Sequence, residues 1–132
     1  MASSASGCLR PGRTLDRPRT LAALAEQTEG LLATWRPDVV VVETPFTGKY
    51  PKAALALAEA RGALLVSLGR WGGTVVEVAP ARVKSTIVGN GRAEKQQVTF
   101  IVERQLGLVE RPSPDAADAL ALALCYLLLG AP

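Results

Sequence analysis

Four consecutive valines, Val39 to Val42, follow the turn Arg36-Pro37-Asp38 and run into Glu43, with Pro45 closing the segment. A β-branched run without polar interruption predicts a strand covered on both faces, as in a parallel sheet between helices. Upstream, Leu21, Leu24, Leu31, Leu32 and Trp35 recur at helical spacing, with Glu26, Gln27 and Glu29 facing outward. That pattern predicts an amphipathic helix over residues 20–35. Downstream, residues 53–68 are rich in Ala and Leu and predict a second helix with Gly62 inside it. An interior helical glycine costs about 1 kcal/mol relative to alanine, so a close helix–helix or dimer contact is expected there.

Residues 74–78, Thr-Val-Val-Glu-Val, predict a second strand after Trp71-Gly72-Gly73. Residues 80–88 read as a short helix, and Gly89-Asn90-Gly91 as a tight turn suited to positive φ. A longer helix over 94–106 points Val98, Ile101, Val102 and Leu106 inward and stops at Gly107. The last helix starts at Pro114 and ends at Gly130. Residues 1–19 are polar and irregular, with room for at most one short strand around 7–9. Strands alternating with helices, with no internal repeat, predict a three-layer α/β domain.

At 132 residues the chain is expected to form one domain with a real core. A net charge of +3 and a pI near 9.2 suit a polyanionic partner without establishing one. The absence of histidine carries more weight. It removes Ser-His-Asp and Cys-His catalysis and, with only Cys8 and Cys125 as soft ligands, disfavours a zinc site. Cys125 lies in an apolar helical run and reads as a small core residue. Two unclustered cysteines fit a reducing cytosol better than a disulfide framework. The longest apolar segment, 119–129, is too short to span a bilayer, and the N-terminus has no signal-peptide hydrophobic region. A soluble, cytoplasmic protein with no membrane association is the expectation.

The candidate chemistry lies in carboxylates and lysines. Asp115 and Asp118 are three residues apart at the start of the last helix and so share one face. Taken alone, the pair reads first as favourable charge in a helical first turn, after the start signal Ser113-Pro114. A third acid, Glu43, stands at the carboxyl end of a predicted strand, where open α/β sheets form their sites. Together the three supply the ligands of a two-metal phosphodiester-cleaving site, and oxygen donors suit Mg²⁺. Arg82, Lys84, Arg92 and Lys95 flank the glycine turn with Glu94 as the one acid among them. They read equally as a solvated basic loop or as a phosphate-binding segment. Phe46 and Tyr50, in the loop past Glu43, serve either the core or stacking on an unpaired base.

Several of these stretches resemble the RuvC Holliday-junction endonucleases in order and spacing. They are Pro37 to Glu43, Ala60-Arg61-Gly62, Ala79-Pro80 with Val83-Lys84, Gly89 to Val98, and Asp115-Ala116-Ala117-Asp118-Ala119-Leu120-Ala121. The resemblance runs from about residue 20 to 129. It implies an RNase H-like α/β/α domain with a mixed central sheet. It further implies Mg²⁺, with Mn²⁺ as a substitute, and a homodimer that nicks two strands of four-way junction DNA in recombination and repair. A complex with a junction branch-migration helicase belongs to the same expectation. Residue by residue, Glu43, Asp115 and Asp118 fall on metal-ligand positions, Lys84 and Lys95 on basic positions near the scissile phosphate, and Phe46 on an aromatic that engages bases at the crossover. Arg82 and Arg92 join Lys84 and Lys95 as expected DNA contacts.

Two departures from the family pattern stand out. The family opens with a strand bearing a Gly-Ile-Asp-Pro-Gly type motif whose Asp is the first metal ligand. This chain opens Met1-Ala2-Ser3-Ser4-Ala5-Ser6-Gly7, and Asp16 does not match that ligand. A start assigned too far downstream, a shortened chain, or a degenerate relative that binds junctions without cutting them would each account for it. The retention of Glu43, Asp115, Asp118, Lys84 and Lys95 favours a missing N-terminal strand. The final helix also carries Cys125 and Tyr126 where the family often has histidines. A non-catalytic junction-binding protein and a related RNase H-like nuclease for another substrate are the alternatives.

Overall fold

The computed structural model describes residues 5–12, 16–44 and 51–130. Its elements run α1 (Arg17–Trp35), β1 (Val39–Glu43), α2 (Pro51–Trp71), β2 (Thr74–Val78), α3 (Pro80–Ile87), α4 (Lys95–Leu106) and α5 (Pro114–Leu129). The class is α/β. Among the described residues the sheet has two strands, ordered β1-β2. The Thr44 N–H just past β1 donates to Val78 O at the end of β2, 2.9 Å away, so both strands finish on the same side and run parallel. Of the mixed central sheet that the resemblance implies, the described residues hold this parallel pair alone. Residues 5–12 are irregular, so the short strand expected around 7–9 does not form.

The chain divides into two compact units. One comprises Leu9–Val40 and Pro45–Val76 and is built on α1 packed against α2. Asp16 starts α1 three residues before the predicted boundary. Its carboxylate accepts the Arg19 N–H at 3.0 Å and also pairs with the Arg19 guanidinium, with Pro18 in the first turn. Thr28, Leu32, Ser67 and Leu68 are buried here. The Ser67 hydroxyl donates to Ala25 O at 3.1 Å, satisfying a fully buried polar group across the helix pair. Arg17 with Glu59, and Arg70 with Glu29, tie the two helices at the surface. Gly62 does not serve a helix contact within this unit: nothing described lies within 4 Å of the position its Cβ would take.

The other unit comprises Met1–Cys8, Val41–Thr44 and Glu77–Pro132. It packs α3, α4 and α5 with the ends of β1 and β2. Val42, Val78, Val83, Ile87, Val98, Val102, Leu120 and Leu124 form its core, with Cys125 wholly buried as the sequence predicts. The turn between α3 and α4 takes positive φ at Gly89, and Gly107 ends α4 in the left-handed region. No described helix is long and apolar enough to cross a membrane.

Candidate functional site

The second unit assembles the candidate site from three element ends. Val42 is buried and Glu43 exposed, as alternation along a strand requires, so Glu43 projects from the end of β1. On α5, Ser113 accepts the Ala116 N–H at 3.3 Å and fixes the first turn. Ala116, Ala117, Leu120 and Ala121 then turn inward, leaving Asp115 and Asp118 exposed on the opposite face. α4 begins at Lys95, and its start is set by Glu94, whose N–H donates to the Gln97 side-chain oxygen at 2.8 Å.

These ends bring four charges together. Lys95 Nζ lies 3.2 Å from Asp118 Oδ2, an ion pair open to solvent on both sides. Glu43 holds its proton more tightly than an ordinary glutamate, first because it is partly desolvated and then because Asp118 repels its negative charge. Lys95 and Lys84 pull in the opposite direction. Glu43 at the end of β1 thus feels Asp118 on α5, Lys95 on α4 and Lys84 on α3, and Lys95 also pairs with Asp118.

The remaining predicted residues are placed less tightly. Asp115 stands one turn ahead of Asp118 on α5. Among the described residues, no group of three or more His, Cys, Asp or Glu side chains is close enough to hold a metal ion. What the fold couples is thus the pair Glu43 and Asp118. Arg82 is exposed on α3, and its carbonyl accepts the Ser85 hydroxyl at 3.1 Å. Arg92 is exposed in the turn, its N–H donating to Asn90 Oδ1 at 2.9 Å. Phe46, with Lys49 and Tyr50, lies outside the described residues.

Two features escaped the sequence reading. Glu94-Lys95-Gln96-Gln97 carries a capping pattern that fixes the start of α4 at Lys95, and Glu three residues before Gln was the available signal. The other is the Cys8 thiol, 3.1 Å from the Ser113 hydroxyl. No local pattern announces a contact between residues so distant in sequence.

The profile of the crossover junction endodeoxyribonuclease RuvC family matches residues 2–126. The chain belongs to the RuvC family. The crossover junction endodeoxyribonuclease RuvC of Azoarcus sp. (strain BH72) is 40% identical over 122 residues, which are 92% of this chain and 66% of that protein. The RuvC of Alkalilimnicola ehrlichii is 45% identical over 126 residues, 93% of this chain and 74% of its own. Against its Azoarcus relative, then, the chain spans just under two thirds of the length.

Solved RuvC structures agree in fold. Thermus thermophilus RuvC superposes with a TM-score of 0.80 at 30% identity, covering 91% of this chain and 73% of that one. T. thermophilus RuvC in complex with Holliday junction substrate gives 0.81 at 31% identity, covering 89% and 72%. The α/β, RNase H-like class expected from the resemblance is therefore the fold of this RuvC-family chain.

Proposed function

We propose that this chain is a single RNase H-like nuclease domain that resolves four-way DNA junctions by metal-dependent, symmetric nicking in recombination and repair. The observation that carries the reading is the coupling of a strand-end acid to a helix acid, with Lys95 acting on both acids and Lys84 on Glu43. It occurs in a chain whose fold matches a relative solved with a Holliday junction.

A pair of carboxylates fits a hydrated hard divalent cation, which keeps several of its waters and takes only one or two protein carboxylates. Glu43 and Asp118 would hold it, with Asp115 one turn ahead, and Mg²⁺ is the expected ion, with Mn²⁺ able to substitute. When bound, such a cation supplies Lewis-acid charge at the scissile phosphate and a water acidic enough to attack it. The protein's own part is positioning and charge. Lys84 and Lys95 face the phosphate and offset negative charge as it builds in the transition state. Arg82 and Arg92 contact flanking phosphates, and Phe46 stacks on a base at the crossover.

Two nicks related by two-fold symmetry require two copies facing one junction. The exposed face of α2 suits a second copy: Leu55, Ala58, Gly62, Val66 and Gly69 recur at helical spacing, and Leu55 and Val66 are 60% and 54% exposed. Small residues in such a row permit close approach of a partner helix. A cytoplasmic location and a complex with a branch-migration helicase complete the proposal.

A second reading, a junction-binding protein that does not cut, is favoured by one observation: no three-carboxylate group forms among the described residues. A synthetic four-way junction with Mg²⁺ separates the two readings. Paired nicks by the chain, lost in Asp118→Asn while binding persists, support the nuclease. Binding without nicks supports the second reading.

A further inference from the structure

We propose that Lys95 is a shared cation, paired with Asp118 until a divalent ion claims that carboxylate and then released to a DNA phosphate, so that cation and junction binding strengthen each other. This rests on the reading that Glu43 and Asp118 hold the ion.

The pairing is direct, 3.2 Å from Nζ to Oδ2, and open to solvent, with the two side chains 61% and 51% exposed. Exposed ion pairs of this kind are weak and readily exchanged. The two partners differ in freedom. Asp118 rides on α5 between the buried Ala117 and Leu120, on a helix fixed by its Ser113 cap. Lys95 is anchored only through the α4 backbone, where Glu94 and Gln97 close the first turn, and its four-carbon stem leaves the ammonium free to swing. An ammonium and a divalent ion on one carboxylate oxygen repel each other, so one displaces the other and the mobile partner leaves. The released ammonium stays within reach of Glu43, on which it already acts, and a DNA phosphate bound there would be its next anionic partner. By linkage, whatever the ion gains from DNA, DNA gains from the ion.

The test uses the full chain, Lys95→Met, Lys95→Arg and, as a charge control at the far end of α4, Arg104→Met, whose guanidinium lies over the Phe100 ring. Mn²⁺ binding without DNA is followed by electron paramagnetic resonance. Junction binding is followed by fluorescence anisotropy in EDTA and in Ca²⁺. Lys95→Met is expected to bind Mn²⁺ about two- to fivefold more tightly than wild type, the span an exposed ion pair supports, with Lys95→Arg and Arg104→Met unchanged. Ca²⁺ should tighten junction binding by the wild type, and Lys95→Met should lose that gain. If the wild type binds Mn²⁺ and Lys95→Met binds it equally or more weakly, or Arg104→Met tightens it as much, the inference alone is overturned. A gain from Ca²⁺ that persists in Lys95→Met does the same. If no variant binds Mn²⁺, the metal reading and this inference fall together.

Discussion

Asp118 on α5 acts on Glu43 at the end of β1: Glu43 holds its proton more tightly than an ordinary glutamate, first through partial desolvation and then through the negative charge of Asp118. The two acids come from a strand end and a helix start, and neither stabilises the other. Partial desolvation and this repulsion both disfavour the charged form of Glu43, and nearby positive charge offsets them. Lys95 supplies part of that compensation through its ion pair with Asp118.

The sign of the pH effect follows. The folded-state pKa of Glu43 lies above its ordinary value, so the folded state binds this proton more tightly than the unfolded state. Its contribution is most favourable at pH below the ordinary glutamate pKa and is lost as pH rises through the raised one. Glu43→Gln should therefore raise the melting temperature at pH 7 in EDTA by about 1–2 °C, a small value because the group is exposed. At pH 4 the gain should shrink. Melting curves at both pH values check this; a larger gain at pH 4 would reverse the assignment.

The α5 cap should matter to the fold. Ser113 satisfies the Ala116 N–H, so Ser113→Ala is expected to cost about 1 kcal/mol, and Ser113→Asp to restore most of it. Chemical denaturation of the three proteins measures both effects.

Gly62 separates folding from assembly. It lies mid-helix with open space where a Cβ would stand, so Gly62→Ala should stabilise the isolated chain by about 0.5–1 kcal/mol through helix propensity. Gly62→Arg should leave the fold intact and abolish self-association. Sedimentation velocity gives the second result directly, and an Arg variant that still dimerises would remove α2 as the interface.

Much of this was legible along the chain. The four valines of β1, the Ala/Leu face of α2 and the capped start of α5 each follow from local pattern. Local chemistry also explains two errors of boundary: Asp16 starts α1 early, and Glu94 serves as the cap preceding α4. The partners were not legible. Sequence placed Lys95 and Asp118 in one site only through the family resemblance, and their ion pair depends on how α4 packs against α5. The expected triad failed to appear as a group because coupling depends on side-chain reach across elements. Helical spacing sets Asp115 and Asp118 on one face without fixing either against Glu43.

The most direct test of the account is whether Glu43 and Asp118 form one cation site. Mn²⁺ affinity would be measured by electron paramagnetic resonance for the wild type, Glu43→Gln, Asp118→Asn and the double variant. The account predicts that each single substitution weakens binding by at least about tenfold and that the double variant loses little more, because residues serving one site are not additive. Unchanged affinity in Glu43→Gln, or losses that simply add, would contradict it.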